Sequence, residues 1–242
     1  MQNPFITTNP NEHFIDMKET DLSQFNKNVS FYLETFRDFI LQENYPCIGA
    51  QASVNSNNFC MGVFDSMLDY SSAEGLAFGL YEYILRTKQK NTHFLSYIAV
   101  FKNDSFKSEL DFEDSLWLLF SKLHNVNKRY FNWSPEVSSN PEDPDFSYSF
   151  GGEAFFAVGM HPESKRLARK FPYPAIAFNL HSQFEELKSK NRFGVMKNAI
   201  RKNELQFQGS INPMLSDFGE DSEAKQYSGR RVKSSWKCPF KP

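Results

Sequence analysis

Hydrophobic residues change period several times along this chain. From Asp21 to Glu43, apolar residues at Leu22, Phe25, Val29, Leu33, Phe36 and Ile40 recur at helical spacing. Tyr45-Pro46 ends that run, because the residue before a proline is pushed out of the helical region. Cys47 to Val54 and Phe59 to Phe64 then read as strands, joined as a hairpin by the turn-rich Asn55-Ser56-Asn57-Asn58. Ser71-Ser72-Ala73-Glu74 is a capping box opening a helix to about Lys88. Phe94 to Phe101 reads as a buried strand, and Asp111 caps a helix running to about Val126. Residues 132–146, rich in Pro, Ser and acids, read as a surface loop. Phe155 to Met160 and Ala175 to Leu180 are expected as central strands, and Ser182-Gln183-Phe184-Glu185 as a second capping box before a helix to about Leu205. The C-terminal segment beyond it is loop-like with short helical pieces. Residues 1–18 read as a polar arm, and 19–242 as a single domain. Helices and strands mix without a strict βαβ rhythm, which predicts an α+β fold with a mixed or antiparallel central sheet packed by helices.

The chain has 242 residues, 40% of them apolar, and 26 are Phe, which is ample material for one core. So many Phe residues suit a pocket around a flat aromatic ligand, although they equally fill a core. A net charge of −2 supplies no basic excess for phosphates, so nucleic acid is not an expected partner. No long uncharged apolar run predicts a membrane span. MQNPFITTNPNEHFIDM lacks a basic start followed by an apolar stretch, so a cytoplasmic location is expected. Cys47, Cys60 and Cys238 form no CxxC pair, which argues against a zinc knuckle. Walker A, GxGxxG, HExxH and GxSxG patterns are all missing, so neither a nucleotide nor a flavin site is expected.

Several residues carry candidate chemistry. Trp117, Phe120 and His124 fall on one stripe of the predicted helix, which aims the imidazole inward. A core histidine bonded to a carbonyl would show the same pattern. His161 precedes Pro162 at a strand end, where function often sits. Arg166 and Arg169 lie three apart and suit carboxylates, or form a solvated basic face. His181 follows AIAFNL just before the predicted cap. Glu153, after Gly151-Gly152, and Glu223, in EDSEAKQYSGR, offer the paired acceptors that a guanidinium needs. Gln226 and Tyr227 could add polar contacts, and Gly209-Ser210 with Asn212-Pro213 form a tight turn.

Two segments stand out in residue type and order. They are HPESKRLARKFPYPAIAFNLHSQF, from His161 to Phe184, and GSINPMLSDFGEDSEAKQYSGRRVKSSWKCPF, from Gly209 to Phe240. The first places two histidines and four basic residues within expected reach of one site. Both segments resemble the YqcI/YcgG family, and more closely its GntA-like branch, named for the guanitoxin-pathway N-hydroxylase. The resemblance covers roughly Tyr45 to Phe240. It implies a haem b-dependent oxygenase that hydroxylates a guanidine nitrogen of an arginine-like or small guanidino substrate. O₂ or peroxide would be the oxidant, with a separate reductase as electron donor where O₂ is used. Under that resemblance His124 is the expected axial iron ligand, with His161 as runner-up. His161 and His181 would make catalytic polar contacts, Arg166 and Arg169 would hold haem or substrate carboxylates, and Glu153 or Glu223 would grip the guanidinium. Cys47 and Cys238 are alternative, thiolate ligands. The family pattern usually has Asp three residues after the helix histidine, where this chain has Asn127. Two other expectations stay open: a non-catalytic haem-binding sensor or carrier, and a binding module whose histidines are structural.

Overall fold

A computed structural model describes residues 2–20, 27–90, 95–216 and 219–241. Along the chain run α1 (Pro10–His13), β1 (Ile15–Asp16), α2 (Lys27–Leu41), α3 (Ile48–Asn55), β2 (Phe59–Phe64), α4 (Tyr70–Lys90), β3 (Ser96–Phe101) and α5 (Glu109–Asn127). After them come β4 (Tyr148–Phe150), β5 (Glu153–Met160), a 3-10 turn (Leu167–Arg169), β6 (Ala175–Leu180), α6 (His181–Ser189), α7 (Phe193–Gln208) and α8 (Ala224–Tyr227).

The six strands form one sheet in the order β1-β2-β3-β6-β5-β4. β2 and β3 are parallel, with α4 between them in sequence, and every other pair is antiparallel. The fold is therefore α+β with a mixed sheet. Alternate residues of each strand feed opposite cores. Tyr97, Ala99, Phe101, Phe155 and Phe178 face α4 and α5, whereas Met61, Val63, Ile98, Val100, Met160 and Ala175 face α2 and α3. Burial on both faces explains why these strands read as continuous apolar runs rather than as alternating ones.

Several local expectations are corrected. Cys47 to Val54 is not a strand but mostly helix α3, and no hairpin joins it to β2. Small and straight-chain residues in Ala50-Gln51-Ala52 favour helix, the Cys47 sulfur accepts from the Ala50 amide at 3.4 Å, and one face alone is buried. Asn57 then takes a left-handed φ of 52° before β2. Neither serine-led capping box is realised as written, since the helices already begin at Tyr70 and His181. Ser108, not Asp111, caps α5, and its hydroxyl accepts from the Asp111 amide at 3.1 Å. The single helix expected up to Leu205 is two, broken where Asn191 turns left-handed. Leu22, Phe25 and Phe94 lie outside the described residues.

Residues 2–18, read as an arm, pack onto the core. Phe5, His13 and Ile15 are buried, β1 extends the sheet, and Asp16 pairs with the buried Arg86. Glycines make room for this approach. A Cβ on Gly79 of α4 would overlap the His13 carbonyl and the Tyr97 hydroxyl, and one on Gly75 would overlap the His13 ring.

The C-terminal strap is held by one carboxylate on α5. Glu113, 1% exposed, accepts from Ser228 Oγ (2.8 Å), Arg230 Nε (2.8 Å) and Nη2 (2.6 Å), and Trp236 Nε1 (2.9 Å).

Candidate functional site

His161 and His181 do not share a site. Each follows a strand, β5 and β6, and those strands run antiparallel. The pairs Met160↔Ala175 and Phe155↔Leu180 set the register, so the two histidines leave the sheet at opposite ends, about 20 Å apart along the strands.

At the His181 end a buried polar cluster forms. Glu223, 6% exposed, projects from the residue before α8. Its Oε2 accepts from Ser147 Oγ at 2.6 Å and lies 3.1 Å from His181 Nε2 and 3.3 Å from the Tyr227 hydroxyl. Ser147 Oγ is also 3.0 Å from His181 Nε2. Since the Ser147 proton is committed to Glu223, Nε2 carries a proton and donates it to Glu223. Tyr227 is held in turn: its hydroxyl donates to the Phe155 carbonyl at 3.0 Å and accepts from the Tyr148 amide at 2.9 Å. An imidazole oriented by a carboxylate is the arrangement that fixes histidines at metal centres.

The cluster opens onto a cavity of about 380 Å³. Phe156, Phe184, Phe193, Met196 and Ile200 make its apolar walls, and Lys188, Lys197 and Arg201 add cations, of which Lys188 is paired with the lining Glu185 at 2.7 Å. A second, mostly apolar cavity of about 280 Å³ under α2 and α3 shares Phe156, Phe184, Met196 and Ile200 with the first. Each is near the lower bound for a small-molecule site. Both distinctive sequence segments meet here: His181 and Phe184 from the first, Leu215, Ser216, Glu223 and Gln226 from the second.

Other candidates lie elsewhere. His124 sits on α5 as the periodicity predicts, with its ring beside those of Trp133 (5.7 Å) and Phe240 (5.8 Å). Burial, with a smaller contribution from Lys128, lowers its pKa, so the ring is neutral at pH 7, and its buried Nδ1 has no hydrogen-bond partner. It lines neither of these cavities. Asn127 is structural. Its Oδ1 accepts from the Gly151 amide at 2.8 Å, holding the two-residue β4–β5 turn, where Gly151 and Gly152 take φ of 62° and 79°. His161 is 1% exposed and stacked on Phe112 at 4.2 Å, and neither ring nitrogen has a partner. Burial and then the Arg169 charge push its pKa down to about 4.

Arg169 is spent on backbone. Its Nη1 donates to the carbonyls of Gln226 (3.0 Å), Tyr227 (3.2 Å) and Gly159 (3.4 Å), tying the strap to β5, and burial lowers its pKa to about 10. Arg166 pairs with Glu204 and donates to Ser210 O at 2.7 Å. Neither arginine lines the His181 cavity. Glu153 is salt-bridged to Lys88 at 2.6 Å, and alternation along β5 sets it on the face opposite Phe156. Burial raises the thiol pKa of Cys47, and that of Cys238 to about 12, so both stay protonated. Ser147, Lys188, Lys197 and Arg201 were missed in the sequence. Ser147 sits in a loop beside a three-residue strand, and the three cations read as ordinary helix surface. Among the described residues no group of three or more His, Cys, Asp or Glu is placed to hold a bare metal ion, and no helix is long and apolar enough to cross a membrane.

The sequence model of the YqcI/YcgG family matches residues 36–241. The chain belongs to that family. Two relatives from Bacillus subtilis (strain 168) are similar to it, both described as uncharacterized. YqcI is 32% identical over 136 residues, covering 54% of this chain and 53% of its own length, so the matched region spans about half of that relative. YcgG is 24% identical over 208 residues, covering 82% and 81%. No solved structure matches. The YqcI/YcgG match includes every element that builds the His181 cavity.

Proposed function

We propose that this YqcI/YcgG protein is a haem-dependent N-hydroxylase of the GntA-like kind, acting on a guanidino substrate at the His181–Glu223 cavity. The observation that carries the proposal is the pairing, in one aromatic-walled space, of a carboxylate-oriented imidazole with three cations. Haem asks for flat apolar walls, a nitrogen ligand and cations for its propionates. Phe156, Phe184, Phe193 and Met196 supply the walls, Lys188, Lys197 and Arg201 the cations, and His181 the imidazole. His181 therefore replaces His124 as the favoured ligand. Haem, when bound, supplies the oxygen-transfer chemistry, with O₂ and two external electrons or with peroxide.

The chain's own residues bind, orient and exclude water. Glu223 fixes the His181 ring through Nε2. Ser147 holds Glu223 in place. The aromatic walls exclude water and so strengthen these contacts.

Visible spectra of the protein from haem-supplied cells, in ferric, ferrous and CO-bound forms, test the proposal together with turnover of arginine and small guanidines. A stoichiometric Soret band with N-hydroxylated product is expected. A Soret band without product would leave the non-catalytic sensor or carrier. A folded protein that stays colourless with added hemin would overturn the haem assignment.

A further inference from the structure

A cavity of about 640 Å³ lies outside the proposed haem site. It opens where the His161–Arg169 turn, the Gly209–Pro213 loop and the strap after α8 converge. Lys165, Arg166, Arg230 and Arg231 line it, and among its described lining residues Glu109 is the one carboxylate. Glu109 is already engaged, because its Oε1 accepts from the Lys165 amide at 3.0 Å and its Oε2 lies 3.6 Å from the exposed Lys165 Nζ.

Two of the cations are fixed from behind. Arg230 grips Glu113 with Nε and Nη2, and Arg166 is held by Glu204 and by Ser210. Those carboxylates offset charge, but they also orient the guanidinium groups before any ligand arrives, which lowers the ordering cost of binding. Arg166 Nε is buried behind these contacts and has no hydrogen-bond partner of its own. Lys165 and Arg231 complete the rim from solvent.

We propose that this cavity binds a small polyanion, a ligand with two or more anionic oxygens such as a phosphate ester or a polycarboxylate. Planar guanidinium groups and a point-charge lysine recognise that chemistry. The site is independent of the haem assignment.

Isothermal titration of the full chain with pyrophosphate, and separately with citrate, tests it, with ionic strength matched by NaCl. Saturable one-to-one binding of either is expected. Pyrophosphate alone would identify a phosphate ligand, citrate alone a carboxylate, and both the shared chemistry. Lys165→Ala and Arg231→Ala alter exposed side chains and should each weaken binding about tenfold. No heat with either anion, or affinity unchanged in both variants, would overturn the proposal. The Soret band, followed in the same samples, should not move with either variant, so failure here is distinguishable from failure of the haem assignment.

Discussion

His161 and His181 come from one short stretch of sequence and follow adjacent strands, yet their chemistry is opposite. His181 Nε2 sits between Ser147 and Glu223 at the edge of a cavity. His161 has both nitrogens unpartnered, an aromatic ring against its face and almost no exposure. A histidine with a partner and access is equipped for function, whereas one sealed without partners acts as a flat apolar side chain that charges only at a cost. Antiparallel pairing separates them, because two strand-end residues on antiparallel neighbours emerge at opposite edges.

The sharpest way to break this contrast is to remove each ring in turn. His181→Ala should weaken haem binding by at least about 100-fold, consistent with loss of a ligand rather than of a supporting contact. His161→Phe should leave the Soret band intact. Haem retained in the first and lost in the second would invert the assignment.

Next in size is the group behind His181. Glu223→Gln keeps the shape and accepts the same donors, but removes the charge. It should lower haem affinity or turnover about 10- to 100-fold, with thermal unfolding little changed. Equal turnover in the variant and the parent would make Glu223 merely structural.

A third test uses pH. His161 has a folded pKa of about 4 against 6.5 for the free side chain. It therefore contributes stability that is complete above pH 6.5 and is lost as pH falls towards 4, because the unfolded chain takes up the proton first. His13, lowered to about 4 mainly by burial, acts in the same direction. In His161→Phe, proton uptake on unfolding near pH 5 should fall by about one, and the acid limb of the stability curve should flatten. An unchanged acid limb would mean that His161 has access to solvent or a partner.

The smallest expected effect tests the N-terminal packing. Gly79→Ala improves helix propensity, yet its methyl would meet His13 and Tyr97, so a net loss of roughly 1–3 kcal/mol is expected in denaturant unfolding. A gain in stability would show that residues 2–18 move aside freely.

Much of the fold was legible where one period persisted. Val29, Leu33, Phe36 and Ile40 marked α2, and Trp117, Phe120 and His124 marked the inner face of α5. β5 and β6 were plain from their apolar runs. Cys47 to Val54 misled because a short apolar segment carries no length signal to separate helix from strand. β1 and β4 have two and three residues, too few to show a period at all. Glu223 was legible as a candidate, but Ser147 was not, since nothing in its neighbours predicts where a loop residue's hydroxyl will point.

By itself the sequence determined most of the longer elements, the α+β class and the residue chemistry available to a site. Tertiary structure alone decided which of those residues meet. Strand order and direction sent His161 and His181 to opposite edges, the strap tied to Glu113 brought Glu223 to His181, and backbone carbonyls claimed Arg169. The physical reason is that periodicity is local, carried by residues within a turn or a strand, whereas a site is made by contacts between residues far apart in the chain, and their register is set only when the whole sheet and its two cores close together.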